Sequence, residues 1–467
     1  MKQHVSIKQA LSILIVLLTI IGTSIIMFHL AAHVALLFAL ILLIAFAKFK
    51  GLSWEDIHQA FISGISPGLI PILIFLLIGA LISTWIASGT IPTLMVYGFS
   101  FLSPTYFLPM IFLICGLVGA AVGSSFTTIS TIGIAFYGMG QLLGFAPGWI
   151  AGAIVSGAFL GNSLSPLSDT ANLAAAIAEV DLFEHIKQMV KTVLPAAIIS
   201  SLFFFAFGKG KVSVAETGAM IDIIACLKGN FAVSLVALLP ILLLFICGLK
   251  KIPAIPTLLV NIILSLGIRF IFYPETTISQ LGSWVQNGYV ATTGNQQVDR
   301  LLTRGGIQSM MWSVSLILLA LALGGLLIRL QLIETILENS QKWMNRPSRL
   351  IILTTLSCIG INLLIGEQYL AIILPGKAFQ QTFDRLGVPK SYLSRILSDA
   401  GASINPLIPW SVSGVFITGT LGIPTSQYWP YAIFCYLLPL MTVGLGILAN
   451  HRLPRLTLIS PKEMKKV

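Results

Sequence analysis

Gly161-Asn162-Ser163-Leu164-Ser165-Pro166-Leu167-Ser168-Asp169-Thr170-Ala171-Asn172-Leu173 interrupts an apolar segment that begins near Trp149 and resumes with Ala174-Ala175-Ala176-Ile177. One carboxylate, two amides, a run of hydroxyls and a proline sit where a membrane helix would carry only apolar side chains. Proline lacks a backbone donor and clashes with the preceding turn, so the helix is expected to break here, with a new one starting near Asn172. Inside a bilayer such backbone survives only where it is buried in protein or lines water. Discontinuous helices of this kind hold the midplane ion and substrate sites of many secondary transporters. A second polar interruption, Ser398-Asp399-Ala400-Gly401-Ala402-Ser403-Ile404-Asn405-Pro406, lies in the far half. The rest of the chain reads as the frame for these two breaks.

Only 9% of the 467 residues are charged and 56% are hydrophobic, against about 25% charged in soluble domains. With a mean hydropathy of +0.95 and apolar runs of about 20 residues, this is an all-α polytopic membrane protein of about 10–12 transmembrane helices. The alternation of a β-barrel is missing. A net charge of +11 raises the question of nucleic acid, but the basic residues gather beside apolar segments, as positive-inside topology requires. Cys115, Cys226, Cys247, Cys358 and Cys435 show no metal-ligand spacing and read as small hydrophobes. No cofactor is implied.

Two spans, Leu11 to Phe28 and Ala31 to Ala47, close with Lys48 and Lys50; Trp54 to Ile65 reads as an interfacial helix. Pro67 to Ile86 and Tyr106 to Val122 are spans joined by an uncharged connection. Gly123 to Gly133 is rich in hydroxyls, Ser124, Ser125 and Thr127 among them, and reads as a re-entrant hairpin, with close helix packing the alternative. Glu179 to Lys191 reads as a charged loop before a span over Val193 to Phe207. Later come spans at Phe231 to Leu249, Ile255 to Phe272, Ser313 to Ile328, Leu350 to Ile365 and Tyr431 to Leu448. Gly366 to Gly376 answers Gly123 to Gly133, and each is followed by a Ser-Asp break, the order expected of an internal repeat. The division is 1–208, 209–450 and a basic tail, 451–467. Basic residues at both ends place both termini in the cytoplasm.

Asp169 is the leading ion-site candidate, because an ionisable group within a span costs at least about 2.5–3.5 kcal/mol and needs a function or a partner. A helix cap is the alternative. Ser165, Ser168, Thr170 and Asn172 add the neutral oxygens that hard cations prefer. Asp399, flanked by Ser403 and Asn405, is the second carboxylate, again with a cap as the alternative. Both are candidate Na⁺ ligands. Glu367 reads as a coupling acid or a headgroup-level residue. Lys377 reads as an anion ligand, a counter-charge or a snorkelling side chain. Asp384, Arg385, Lys390 and Arg395 read as a solvated loop.

Ser165-Pro166-Leu167-Ser168-Asp169-Thr170-Ala171-Asn172-Leu173-Ala174 closely resembles the NhaC family of sodium/proton antiporters. Glu367-Gln368-Tyr369-Leu370, Leu407-Ile408-Pro409-Trp410 and Thr420-Leu421-Gly422 are similar to later motifs of that family, in the same order. The resemblance implies two inverted repeats with re-entrant hairpins and broken helices, a homodimer, and Na⁺ and H⁺ as the transported ions. The family also holds malate/lactate antiporters. Two departures remove titratable groups: Gly161-Asn162-Ser163 stands where the family often has Gly-Asp-Lys, and Ser398-Asp399-Ala400-Gly401-Ala402 where it often has Glu-Asp-Ser-Gly-Thr.

The expectation is a secondary active transporter in the cytoplasmic membrane that exchanges Na⁺ for H⁺ by alternating access, and not an enzyme. Its rival is Na⁺/H⁺-coupled antiport of small organic acids of the malate/lactate type, with Lys377, Ser124, Ser125 and Thr127 in an anion pocket, or of another small organic solute. An ion channel is the alternative from another class.

Overall fold

Apolar runs of this length satisfy their backbone only as helices. The computed structural model describes residues 5–208 and 214–449, and its one β feature is an isolated bridge between Tyr289 and Arg304. The basic tail therefore lies outside the described residues. The first half holds α1 (Ile7–Ile26), α2 (Ala32–Phe49), α3 (Trp54–Ile65), α4 (Leu69–Ala87), α5 (Thr90–Phe101), α6 (Phe107–Val122), α7 (Ser125–Thr128), α8 (Ile134–Leu142), α9 (Pro147–Leu164), α10 (Asp169–Ile177) and α11 (Leu182–Phe207). Then follow α12 (Val214–Asn230), α13 (Leu239–Leu249), α14 (Ala254–Phe272), α15 (Ile278–Asn287), α16 (Gln296–Leu302), α17 (Ile307–Arg329), α18 (Leu332–Ser340), α19 (Pro347–Ile365), α20 (Gln368–Arg385), α21 (Lys390–Ile396), α22 (Val412–Leu421), α23 (Thr425–Tyr428) and α24 (Ile433–Ala449).

Among the described residues eight helices are long and apolar enough to cross a membrane, or ten if each of two bent pairs is one span. One of those pairs is α9 with α10, bent by 47°. The protein is thus a multi-pass membrane protein, whose eight to ten spans among the described residues reach only the lower limit of the expected range.

End contacts give the direction of each helix. At one end of the bundle, Arg329 at the close of α17 pairs with Asp56 at the start of α3, and Lys390 reaches Glu179 at 2.8 Å. At the other, Gly306 N–H donates to Gly79 O at 2.7 Å and Arg304 Nη1 to Leu421 O at 3.1 Å. From the Arg304 end, α6 runs inward to Gly123, and the chain turns back through α7 and α8 until Tyr137 lies under the Arg304 guanidinium. From the Lys390 end, α19 runs inward to Gly366 and α20 returns. The two broken helices, α9–α10 and α21–α22, likewise run in opposite directions. Both turning glycines stand at φ +74°, a left-handed backbone that a side chain disfavours. Each tip abuts a break: a Cβ on Gly123 would stand 2.6 Å from Leu167 Cβ, and one on Gly366 2.9 Å from Trp410 O.

Close approach of α6 and α9 depends on small residues. A Cβ on Gly157 would meet Phe112 O at 2.3 Å, and one on Gly161 would meet Gly116 O at 2.3 Å. With lipid tails as apolar as leucine, such backbone contact is what drives helix pairing.

Several local expectations are corrected. Trp54 to Ile65 is not a separate helix: α3 continues through a 3₁₀ turn into α4 as one 34-residue apolar stretch, with Gly64 packed on Gly325 of α17. The connection after Ile86 contains the buried helix α5. Most of the expected loop at Glu179 to Lys191 is the first part of α11, where Asp181 caps the backbone of Phe183 and Glu184. In the last case charge at a helix end had the appearance of a loop.

Candidate functional site

Four helix N-termini converge where the tips meet the breaks. Ser124 accepts from Thr127 N–H at 3.2 Å, Ser168 from Ala171 N–H at 3.3 Å, Glu367 from Leu370 N–H at 2.8 Å, and Ser411 from Gly414 N–H at 3.0 Å. Each N-terminus carries a partial positive charge, so the centre favours carboxylates or other anions nearby. The contacts also cross over. Tyr369, three residues after Gly366, donates its hydroxyl to Asp169 Oδ2 at 2.8 Å. Phe126, three residues after Gly123, packs on Phe416 of α22 with ring centroids 4.8 Å apart. Each tip thereby touches the broken helix of the other set.

Asp169 is the first residue of α10, and Ser168, not Asp169, supplies the cap. The break is also shorter than expected: α9 reaches Leu164, and only Ser165 to Ser168 are non-helical. Those four residues are held locally. Ser165 Oγ donates to Ala120 O at 2.7 Å, Asn172 Nδ2 to Ser168 O at 2.7 Å, and Asn162 Nδ2 to Thr170 Oγ1 at 3.0 Å. The Asp169 side chain is exposed and is left with acceptor capacity beyond the Tyr369 bond.

Asp399 is not a cap either. It is fully buried in a π-helical segment, Leu397–Ala402, and the actual break follows that segment. π-bulges within helices gather at functional sites because they turn backbone and side chains out of register. Thr442 Oγ1 donates to Asp399 Oδ2, while Oδ1 has no partner, and neither has the buried Ser403 hydroxyl. Asn405 ties the break to the tip of the second hairpin: its Nδ2 donates to Asn362 Oδ1 at 2.8 Å and to Gly366 O at 3.1 Å, and its Oδ1 accepts from Ser413 N–H at 2.8 Å. Arg395, expected in a solvated loop, is instead 1% exposed, one turn before Asp399. Its Nε and Nη2 are unpartnered, and its guanidinium lies 4.7 Å from the Tyr392 ring centre. The i, i+4 spacing was visible in the sequence; its burial was not, because charges on either side of it suggested water.

The two carboxylates occupy different levels of one helix packing. A Cβ on Gly401 would meet Ile372 of α20, and one on Gly376 would meet both Leu397 and Ile177. Asp399 thus lies between the levels of Ile372 and Gly376, whereas Asp169 lies at Tyr369. At 1.5 Å per residue that is about 5–10 Å along α20.

The remaining candidates separate. Glu367 is 1% exposed at the tip of α20 and serves as its cap, which rules out a headgroup position. Lys377 is exposed about three turns further along α20 and pairs with no carboxylate among the described residues. Thr127 Oγ1 donates to Ser124 Oγ at 3.1 Å, and Ser125 is buried beside them, so these hydroxyls largely close on their own turn. The sequence reading missed Tyr369 as a partner, although it lay within a quoted motif; nothing local pointed to Thr442 or Asn362.

The sequence profile of a family described as the Na⁺/H⁺ antiporter family matches residues 3–171 and 157–449. The chain belongs to that family. Among its antiporter relatives, the Na(+)/H(+) antiporter NhaC of Alkalihalophilus pseudofirmus is 39% identical over 96% of this chain and 97% of its own length. NhaC of Bacillus subtilis is 39% identical over 94% and 97%. The malate-2H(+)/Na(+)-lactate antiporter of Bacillus subtilis is 31% identical over 86% and 85%.

Proposed function

We propose that this protein is a secondary active transporter that exchanges Na⁺ for H⁺ across the cytoplasmic membrane by alternating access. The observation that carries the reading is Asp399: a buried carboxylate with an unpaired oxygen, in a π-bulge between a helix break and a buried arginine. A buried acceptor left without a hydrogen-bond partner costs free energy, so an occupant that comes and goes fits the position. Na⁺ and H⁺ exclude one another there, because a protonated carboxylate no longer attracts the cation. Asp169, exposed and hydrogen-bonded to Tyr369, acts as the outer station of the same path, with Ser165, Ser168, Thr170 and Asn172 shaping its turn. Glu367 holds a hairpin tip in place. A pH unit supplies about 1.4 kcal/mol per proton, and 100 mV adds about 2.3 kcal/mol per net charge. In this reading the two sets of elements are inverted repeats that rock about the central N-termini, the working form is a homodimer in lipid, and no cofactor takes part.

One observation favours exchange of small carboxylates as a second reading. The four converging N-termini create a centre that attracts anions, and the Bacillus relative named for malate and lactate is similar over most of the chain. Counterflow in proteoliposomes, offering Na⁺, K⁺, Li⁺, malate and lactate against an imposed pH gradient, separates the readings. Saturable Na⁺-dependent proton movement without added carboxylate supports the first; proton movement only with a carboxylate supports the second.

A further inference from the structure

At the Arg304 end of the bundle a cavity of about 330 Å³ opens between the Asn287–Val290 turn, the start of α17 and the end of α22. It lies away from both carboxylates, and the cation-exchange reading does not use it. Its volume sits at the low end of ligand pockets, about 300–1,000 Å³, which suits a small molecule. The lining contains no acidic side chain and is rich in donors.

Arg304 dominates it. The Arg304 backbone is fixed by paired hydrogen bonds with Tyr289, each 3.1 Å, so the side chain has a defined origin. One guanidinium nitrogen donates to Leu421 O at 3.1 Å, and the ring of Tyr137 lies 5.6 Å away. Among the described residues no carboxylate pairs with it. The nearby loop acid, Asp299, is already engaged by the Thr293 N–H and hydroxyl, each at 2.7 Å. A guanidinium has five N–H donors, so most of the fork remains available. Thr420, 3% exposed, is among the residues that line the same cavity, and its buried hydroxyl has no hydrogen-bond partner. Thr303 accepts from Ala291 N–H at 3.1 Å and keeps its own proton to donate.

We propose that this cavity binds a small planar oxyanion of the carboxylate type, bicarbonate or a short organic acid, held by the Arg304 fork and the Thr420 and Thr303 hydroxyls. Two coplanar oxygens match a guanidinium bidentately, a geometry that chloride cannot reproduce. The bound anion shares Arg304 with Leu421 O and so stands at the outer end of α22, whose inner end is the Ser411 cap beside the second break.

The test is thermal stabilisation of the purified full-length protein in detergent at constant ionic strength and pH, titrated with acetate, bicarbonate, chloride and acetamide. A ligand that binds only the folded state raises the melting temperature in a saturable manner. The expected result is saturable stabilisation by acetate or bicarbonate, with neither chloride nor acetamide matching it; whichever oxyanion saturates at lower concentration identifies the source. Thr420→Val, nearly isosteric, should weaken the apparent affinity about tenfold, and Arg304→Lys should weaken it further by removing the fork while keeping the charge. Equal responses to chloride and acetate, no saturable response in the wild type, or wild-type affinity in Thr420→Val and Arg304→Lys together would overturn the proposal. Na⁺/H⁺ exchange, assayed separately, is not decided by any of these outcomes.

Discussion

Arg395 and Asp399 sit one turn apart, both buried and both incompletely partnered. If each offsets the charge of the other, removing one leaves the other uncompensated, at a cost of about 3–5 kcal/mol. Asp399→Asn and Arg395→Gln should therefore each lower the detergent melting temperature, and the double variant should lose much less than the sum. Additive losses would show that the two charges do not interact. Exchange should be absent from Asp399→Asn with or without the second substitution. Asp169 presents the opposite case: its backbone is capped by Ser168 and its side chain is exposed, so Asp169→Asn should cost little stability. Residue identity was legible in the sequence for both acids, since carboxylates within apolar segments draw attention by their expense. Their mode of attachment was not, because a cap and a free ligand differ by one residue of helix phase.

Helix boundaries follow the same logic. Most spans were legible from apolar runs, though Phe231 to Leu249, expected to be a span, holds only the short helix α13; the re-entrant tips were marked by Gly123 and Gly366, whose left-handed backbone only glycine adopts readily. The π segment over Leu397–Ala402 left no mark in the sequence, because a bulge is set by what packs around it. Close pairing of α6 and α9 makes a direct prediction. A methyl on Gly161 meets backbone atoms at 2.3–2.4 Å that cannot rotate away, so Gly161→Ala should destabilise by about 1–3 kcal/mol; an unchanged melting temperature would contradict the packing. At the Lys390 end, the hydrogen bond from Lys390 holds the Glu179 carboxyl below its usual range, with Gln380 assisting. A carboxyl depressed in the folded state adds stability above its unfolded pKa and loses it as pH falls through the folded value. The melting-temperature difference between wild type and Lys390→Gln should thus shrink on acidification from pH 6 to pH 3. A difference constant over that range would show that the pair does not join α10 to α21.

Across the whole molecule, two sets of tip, return helix and broken helix run in opposite directions and touch through Tyr369–Asp169 and Phe126–Phe416. The shared element order was readable in the sequence, but its inversion was not, since direction is carried by contacts between residues roughly 200 positions apart. In the proposed exchange, the centre of such an arrangement is opened from each end of the bundle in turn. The central claim is that carboxylates at that centre couple Na⁺ to H⁺. Its most direct test is Na⁺-driven proton movement in proteoliposomes of purified wild type and Asp169→Asn, read by a pH-sensitive dye after a Na⁺ pulse. Asparagine keeps the shape but offers no negative charge and releases no proton in the physiological range. The account predicts a saturable Na⁺-dependent signal in wild type and none in Asp169→Asn, with expression and melting temperature preserved; a signal at wild-type rate and Na⁺ affinity in Asp169→Asn would contradict it.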